Sequence, residues 1–263
     1  MTARSRLQSG LDSGAALFGG WVVGPTVLGP EEFATAGYDY VGIDLQHGYL
    51  DDADAASMLR RLEHVPIATM VRLPTADPAP IGRVLDAGAD AVIIAMVESA
   101  DEAAAAVAAT RYPPAGMRSF GPLRPSLGYV PSDLEERASV FAMVETTRGV
   151  SALASICEVP GLSGVYVGPA DLAISMGYDP TSAWRRQEVR DVMADIAEAA
   201  TATGLVAGVH AGTGALGNDA ARMGFRVITL ASESQALRRG AAAHLAEARA
   251  AEPPESHASG GYR

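Results

Sequence analysis

Eight short β-rich runs alternate with eight Ala-rich helical stretches, which predicts an α/β chain folded as a single (β/α)8 TIM barrel. Two further observations agree. The length, 263 residues, matches the roughly 250 that such a barrel needs. The β-rich runs are near-continuously apolar, as expected of parallel strands covered on both faces.

The first strand is expected at Leu17–Val23, followed by a helix at Pro30–Ala36 closed by Gly37. The second strand, Tyr40–Asp44, feeds a helix at Asp51–Leu62, and the third, Ile67–Arg72, a helix at Pro78–Ala87 closed by Gly88. The fourth unit pairs Ala91–Ala95 with Ser99–Ala109, and the fifth Val140–Glu145 with Gly149–Ile156. The sixth strand, Gly164–Val167, precedes a long helix at Arg185–Thr203, after which Gly204 opens the seventh unit, Val206–His210 and Gly214–Met223. Gly224 precedes the last strand, Val227–Leu230, and the last helix, Glu233–Ala250. Gly121 to Asp133 (GPLRPSLGYVPSD) is the one long irregular stretch, and a loop of that length in a compact domain is a candidate lid. Residues 1–250 are thus read as one barrel domain, and 251–263 (AEPPESHASGGYR) as a disordered tail.

Composition narrows the chemistry. All twenty basic residues are arginine and the chain has no lysine. That removes Schiff-base and pyridoxal-phosphate mechanisms, which need a lysine amine, and the P-loop, which needs its own lysine. A net charge of −11 argues against nucleic acid or an anionic membrane as partner. The single cysteine, Cys157, allows no internal disulfide and suits a reducing cytoplasm. The first ten residues carry Arg4 and Arg6 but no apolar core of a signal peptide, and no run approaches the length of a membrane span.

In a (β/α)8 barrel the site lies at the C-terminal ends of the strands. The second strand ends in Asp44, with Gln46 and His47 just beyond; the third ends in Arg72 and the fifth in Glu145; Asp171 follows the sixth. Glu145 and Asp171 lie about one βα unit apart, so they should sit on adjacent strands and can share one ion. Two carboxylates give an oxygen-ligand site of the Mg²⁺ or Mn²⁺ type, with Co²⁺ a further candidate. Each residue has a structural reading as well. Asp171 can be a helix cap, Arg72 a structural partner for Asp44, and His47 a satisfied surface imidazole. Glu145 is harder to explain structurally, because a buried carboxylate without a partner is costly. His64, His210, His244 and His257 are read as structural or surface residues, and Cys157 as a small core residue.

The segments FGGWVVGP, AGYDYVGIDLQHG, ATRYPPAGMRSFG, MVETTRGV and VYVGPADLAISMGY carry a resemblance over about residues 15 to 235. The chain resembles the HpcH/HpaI aldolase family of the citrate-lyase-like group. The resemblance implies a metal-dependent aldolase that forms or breaks a C–C bond beside a pyruvate enolate. It implies Glu145 and Asp171 as metal ligands, His47 as acid/base supported by Asp44, and Arg72 as the group that binds the substrate oxyanion. Asp86 resembles an aspartate that supports the histidine of a neighbouring subunit. The backbone of Gly168, Pro169, Ala170 and Asp171 resembles the pyruvate-carboxylate cradle, and Trp21 a tryptophan near the pocket. The family implies hexamers, trimers of dimers, in which the last helix is swapped onto a neighbour; here that helix carries Ala236, Leu237, Ala243 and Leu245. The chain departs from the family at Asp44-Leu45-Gln46-His47, where many members read DGEH, and around Pro122 to Tyr129, expected to face the aldehyde half of the site. Two rival readings remain: a CoA-thioester lyase of the citryl- or malyl-CoA type, and a barrel that binds a small acid without turnover.

Overall fold

The computed structural model describes residues 4–250. Its strands are β1 (Leu17–Val22), β2 (Tyr40–Asp44), β3 (Ala68–Leu73), β4 (Ala91–Ile94), β5 (Ser139–Val144), β6 (Gly164–Val167), β7 (Val206–His210) and β8 (Val227–Ser232). They close into a barrel in chain order, β8 returning to β1, and every neighbouring pair is parallel. The helices are α1 (Arg6–Asp12), α2 (Leu28–Thr35), α3 (Asp52–Arg61), α4 (Pro78–Asp86), α5 (Ala100–Thr110), α6 (Pro131–Arg137), α7 (Thr147–Ser151), α8 (Leu153–Cys157), α9 (Pro169–Ser175), α10 (Gln187–Ala202), α11 (Gly214–Arg222) and α12 (Glu233–Ala250). No described helix is long and apolar enough to cross a membrane.

The apolar strands bury both faces. Residues such as Val41, Ile43, Val71 and Val92 pack outward against the helices, while Tyr40, Met70, Ile93, Phe141 and Tyr166 fill the barrel interior. Large rings fit there because glycines face them: a Cβ at Gly42 would stand 2.2 Å from the Trp21 ring. Tyr40 and Tyr166 both bond the Thr229 hydroxyl, at 2.9 and 2.7 Å, so their buried phenols are satisfied. The end of the barrel away from the site is plugged by α1, whose Leu7 is fully buried in the interior cluster. That helix is not among the expected elements, although Ser5 and Gln8 form a capping box of the kind a sequence can show.

The Gly121–Asp133 stretch, expected as a lid facing the aldehyde half of the site, does not face the site of its own barrel. It joins α5 to β5 and so must run at the N-terminal end of the barrel, opposite the strand ends that build a site. Leu123 N–H donates to Asp86 O at 2.8 Å, and Arg124 Nη1 to Leu59 O at 2.9 Å. The stretch holds a 3-10 turn at Pro125–Leu127 and leads into α6, with Leu127 packed on Tyr112 and Leu134. The tail expected from residue 251, and His257 within it, lie outside the described residues.

Candidate active site

The register of β2 on β3 sets Asp44 directly beside Arg72. Their side chains form a two-pronged pair: Arg72 Nε donates to Asp44 Oδ1 at 2.9 Å and Nη2 to Oδ2 at 2.6 Å. Asp44 also accepts from Trp21 Nε1 at 3.1 Å and from the backbone N–H groups of Gln46 and His47 at 3.0 and 3.2 Å. Burial works to raise its pKa, but Arg72 first, and then the His47 and Gln46 N–H groups, hold the carboxyl below its usual value. The bond to His47 reaches its backbone rather than its imidazole. Asp44 therefore orients Arg72 in this chain, and the expected support of the His47 ring by Asp44 is absent. The guanidinium lies 5.3 Å from the centroid of the Trp21 ring, so Trp21 braces it from one face.

Glu145 stands one residue past β5 and is 1% exposed. Its Oε1 accepts the Met96 N–H at 3.0 Å, while Oε2 is buried with no hydrogen-bond partner among the described residues. Met96 has a left-handed backbone, φ 54°, unusual for a residue with a side chain; the strained turn after β4 is what aims its N–H at Glu145. Burial pushes Glu145 up to about 7, with Asp171 adding to the rise and the Met96 N–H and Arg72 opposing it. Asp171 lies in the first turn of α9, which has no side-chain cap. Gly168 makes room between them, since a Cβ there would sit 2.2 Å from Glu145 Oε2. Pro169 occupies the first turn of α9, and Ala170 and Asp171 are at its start, where backbone N–H groups lack intrahelical acceptors.

A cavity of ≈300 Å³ opens over this arrangement, lined by Trp21, Arg72, Gly168 to Asp171, Trp184 and His210. His210 closes β7 and meets Trp21 edge-on, with ring centroids 5.5 Å apart. Burial, helped by Arg72, pulls its pKa down to about 4, so it is a neutral imidazole at pH 7. His210, read as a structural or surface residue, lines the cavity, and its place at a strand end was the signal. Trp184, in a 3-10 stretch after α9, and Met96 gave no such signal. His47 is exposed at the rim of β2. Asp86 lies outside the barrel at the end of α4, where it accepts from Arg118 Nη2 at 2.7 Å, so it is not brought to His47 of its own chain.

The donor set fits a hard divalent cation. The orphaned Oε2 of Glu145 and the nearby Asp171 carboxylate offer oxygens, and carboxylates with water and substrate oxygens suit Mg²⁺ or Mn²⁺. Among the described residues, no three His, Cys, Asp or Glu side chains cluster as a metal site. Two carboxylates would leave the remaining positions open, as a catalytic site requires.

Comparisons with known proteins place this geometry in context. The family model described as HpcH/HpaI aldolase/citrate lyase matches residues 18–239. A hydroxypyruvate/pyruvate aldolase of Rhizorhabdus wittichii is 35% identical over 242 residues, covering 91% of this chain and 96% of the relative. A 4-hydroxy-2-oxo-heptane-1,7-dioate aldolase of Salmonella heidelberg is 32% identical over 265 residues, covering 98% of this chain and all of the relative (100%). Among solved structures, an HpcH/HpaI aldolase/citrate lyase family protein of Burkholderia cenocepacia superposes with a TM-score of 0.84 at 32% identity, covering 92% of this chain and 98% of that one.

Proposed function

The chain belongs to the HpcH/HpaI aldolase/citrate lyase family and is a carbon–carbon lyase, and on that premise we propose that it is a class II, divalent-metal-dependent pyruvate aldolase. It would cleave a 4-hydroxy-2-oxo acid reversibly to pyruvate, or a close 2-oxo acid, and an aldehyde. The observation that carries the reading is the buried, half-partnered Glu145 beside Asp171, within electrostatic reach of a clamped Arg72.

Glu145 and Asp171 would hold the cation, which when bound supplies Lewis-acid polarisation of the 2-oxo group. Arg72 has Nε and Nη2 fixed by Asp44, and Nη1 makes no hydrogen bond among the described residues, so it is free to donate to the enolate oxygen. The N–H groups of Ala170 and Asp171 would cradle the substrate carboxylate, with Gly168 and Pro169 shaping the approach. Trp21 holds the Arg72 plane. His47, at the rim, would move the proton on the hydroxyl of the aldehyde half. Because Asp44 is committed to Arg72, an acidic partner for the His47 ring must come from elsewhere, and Asp86 of a neighbouring copy fills that role in the proposed assembly, a hexamer built as a trimer of dimers. A single buried, unpaired cysteine fits a cytoplasmic enzyme.

The test is a metal-reconstituted screen of pyruvate against a panel of aldehydes, read by mass spectrometry. Glu145→Gln and Asp171→Asn should remove metal-dependent turnover while the fold is retained. Full activity after exhaustive chelation would overturn the metal, and no C–C bond formation with any aldehyde would overturn the aldolase.

A further inference from the structure

A second cavity, ≈280 Å³, lies at the opposite end of the barrel, where the starts of β3, β4 and β5 meet the N-terminal segment. Four arginines line it, Arg4, Arg6, Arg124 and Arg137, against two carboxylates, Glu63 and Asp90, in a protein whose net charge is −11. Two are matched by carboxylates: Arg4 pairs with Asp12, and Arg137 Nη2 with Asp90 at 3.1 Å. Arg6 and Arg124 have no carboxylate within 4.0 Å among the described residues. Arg6 is exposed and donates Nη1 to Val65 O at 2.7 Å.

Arg124 is the unusual one. It is 9% exposed, its one hydrogen bond goes to Leu59 O, and its Nε is buried with no partner. Its guanidinium lies flat against Gly88, where a Cβ would stand 2.3 Å from Nη2. A guanidinium keeps its charge in proteins, and a buried charge without a counter-ion is costly. Burial pulls the Arg124 pKa down, aided by Arg137 and Arg6 and opposed by Glu63 and Asp90, neither of which reaches it as an ion pair. A planar fork with a free Nε matches two oxygens of one anion.

We propose that this cavity is a binding site for a small oxyanion, a phosphate or a short carboxylate, gripped by Arg124 with Arg6 at its mouth. It is separate from the catalytic site, since it opens where the strands begin rather than where they end. Because the ligand would bind the folded chain and not the unfolded one, it should raise the melting temperature. For a chain of this size the rise should be roughly 5–10 °C at about a hundredfold excess over the dissociation constant.

The experiment melts the full chain, without added metal, in sodium chloride, sodium phosphate and sodium malonate at matched pH and ionic strength. Calorimetric titration with each salt gives affinity and stoichiometry. Wild type should be stabilised by an oxyanion beyond chloride, and the better of phosphate and malonate identifies its class. Arg124→Gln should lose the shift, Arg6→Gln should weaken binding about tenfold, and Arg72→Ala should keep it. Equal melting in all three salts would overturn the site, as would a shift that survives Arg124→Gln or disappears in Arg72→Ala, which would place the anion in the barrel mouth. If Arg124→Gln does not fold, Arg6→Gln decides: unchanged affinity there counts against the proposal.

Discussion

Arg72 divides its donors between two acceptors, one in the protein and one in the proposed substrate. Nε and Nη2 are spent on Asp44, leaving Nη1 for a developing oxyanion. Lysine has no such fork and cannot hold both. Arg72→Lys and Arg72→Ala should therefore lose pyruvate α-proton exchange, a reaction that needs only the enolate half, by about a hundredfold to a thousandfold. Exchange into deuterated water at the wild-type rate in Arg72→Ala would show that the arginine serves the fold alone. Glu145 makes a second prediction. Its carboxyl titrates at about 7 in the folded, metal-free chain but in the ordinary glutamate range when unfolded. The folded state thus holds a proton that the unfolded state releases, so stability is present below about pH 4.5 and is lost as pH rises through about 7. The loss is on the order of 3 kcal/mol, from the size of that shift. Melting of chelated protein should fall between pH 5.5 and 8, and Glu145→Gln should flatten that slope. Metal affinity should rise over the same window, because binding displaces the proton. Which residues gather at the barrel mouth was legible from strand-end position for Asp44, Arg72, Glu145 and Asp171; His210 also closes a strand but was read as a structural or surface residue. What their side chains bond to was legible only in part: Arg72 as a partner for Asp44 was one of two readings, and the pair is formed. That Asp44 serves Arg72 and Trp21 and not the His47 ring is decided by cross-strand register, which one sequence does not display.

Between β6 and α9 the chain turns through Gly168, and this turn couples the proposed metal ligands to the proposed carboxylate cradle. Gly168 has an ordinary extended backbone, φ −97°, so its requirement is space rather than conformation. Gly168→Ala would drive a methyl against Glu145 Oε2 and to 2.8 Å from Met143 Cε. It should lower metal affinity at least tenfold with little change in secondary structure by circular dichroism; wild-type affinity would mean the turn yields freely. At the far end, α1 acts as a stopper. Leu7→Ala should cost about 2–5 kcal/mol, since the buried isobutyl group has no replacement. Denaturant titration would measure it, and a loss below 1 kcal/mol would mean the plug is dispensable. The eight βα units were legible because apolar runs and Ala-rich stretches alternate. The elements that were not are short and set by tertiary contact: α1, α6, α9 and the 3-10 stretch at Pro180–Arg185. The 121–133 stretch shows why length alone misleads. Its place after a helix and before a strand, not its irregularity, decides which end of the barrel it occupies.

At the scale of the molecule, the last helix is the feature a lone barrel leaves unexplained. Glu233 pins its start by accepting the Val23 and Gly24 N–H groups at 3.2 and 2.8 Å. Beyond that anchor no described residue of α12 is buried, and Leu237 is 76% exposed. Helices in proteins owe most of their stability to packing of one face, and none of the 18 residues of α12 is buried. Where α12 leaves the barrel it borders an apolar groove of ≈650 Å³, formed with Leu28, Phe33 and Tyr38. An unpacked helix beside an unfilled groove on one chain is what an exchange between copies would satisfy, each helix covering its neighbour. If such an exchange also carries Asp86 to the neighbour's His47, assembly and catalysis stand or fall together. Leu237→Asp should then dissociate the particle in light scattering, and specific activity should fall with it as the protein is diluted. Arg72→Ala should leave the particle intact, separating loss of chemistry from loss of assembly. A Leu237→Asp monomer with full activity at assay concentration would show that each barrel works alone, and that His47 needs no partner from outside its own chain.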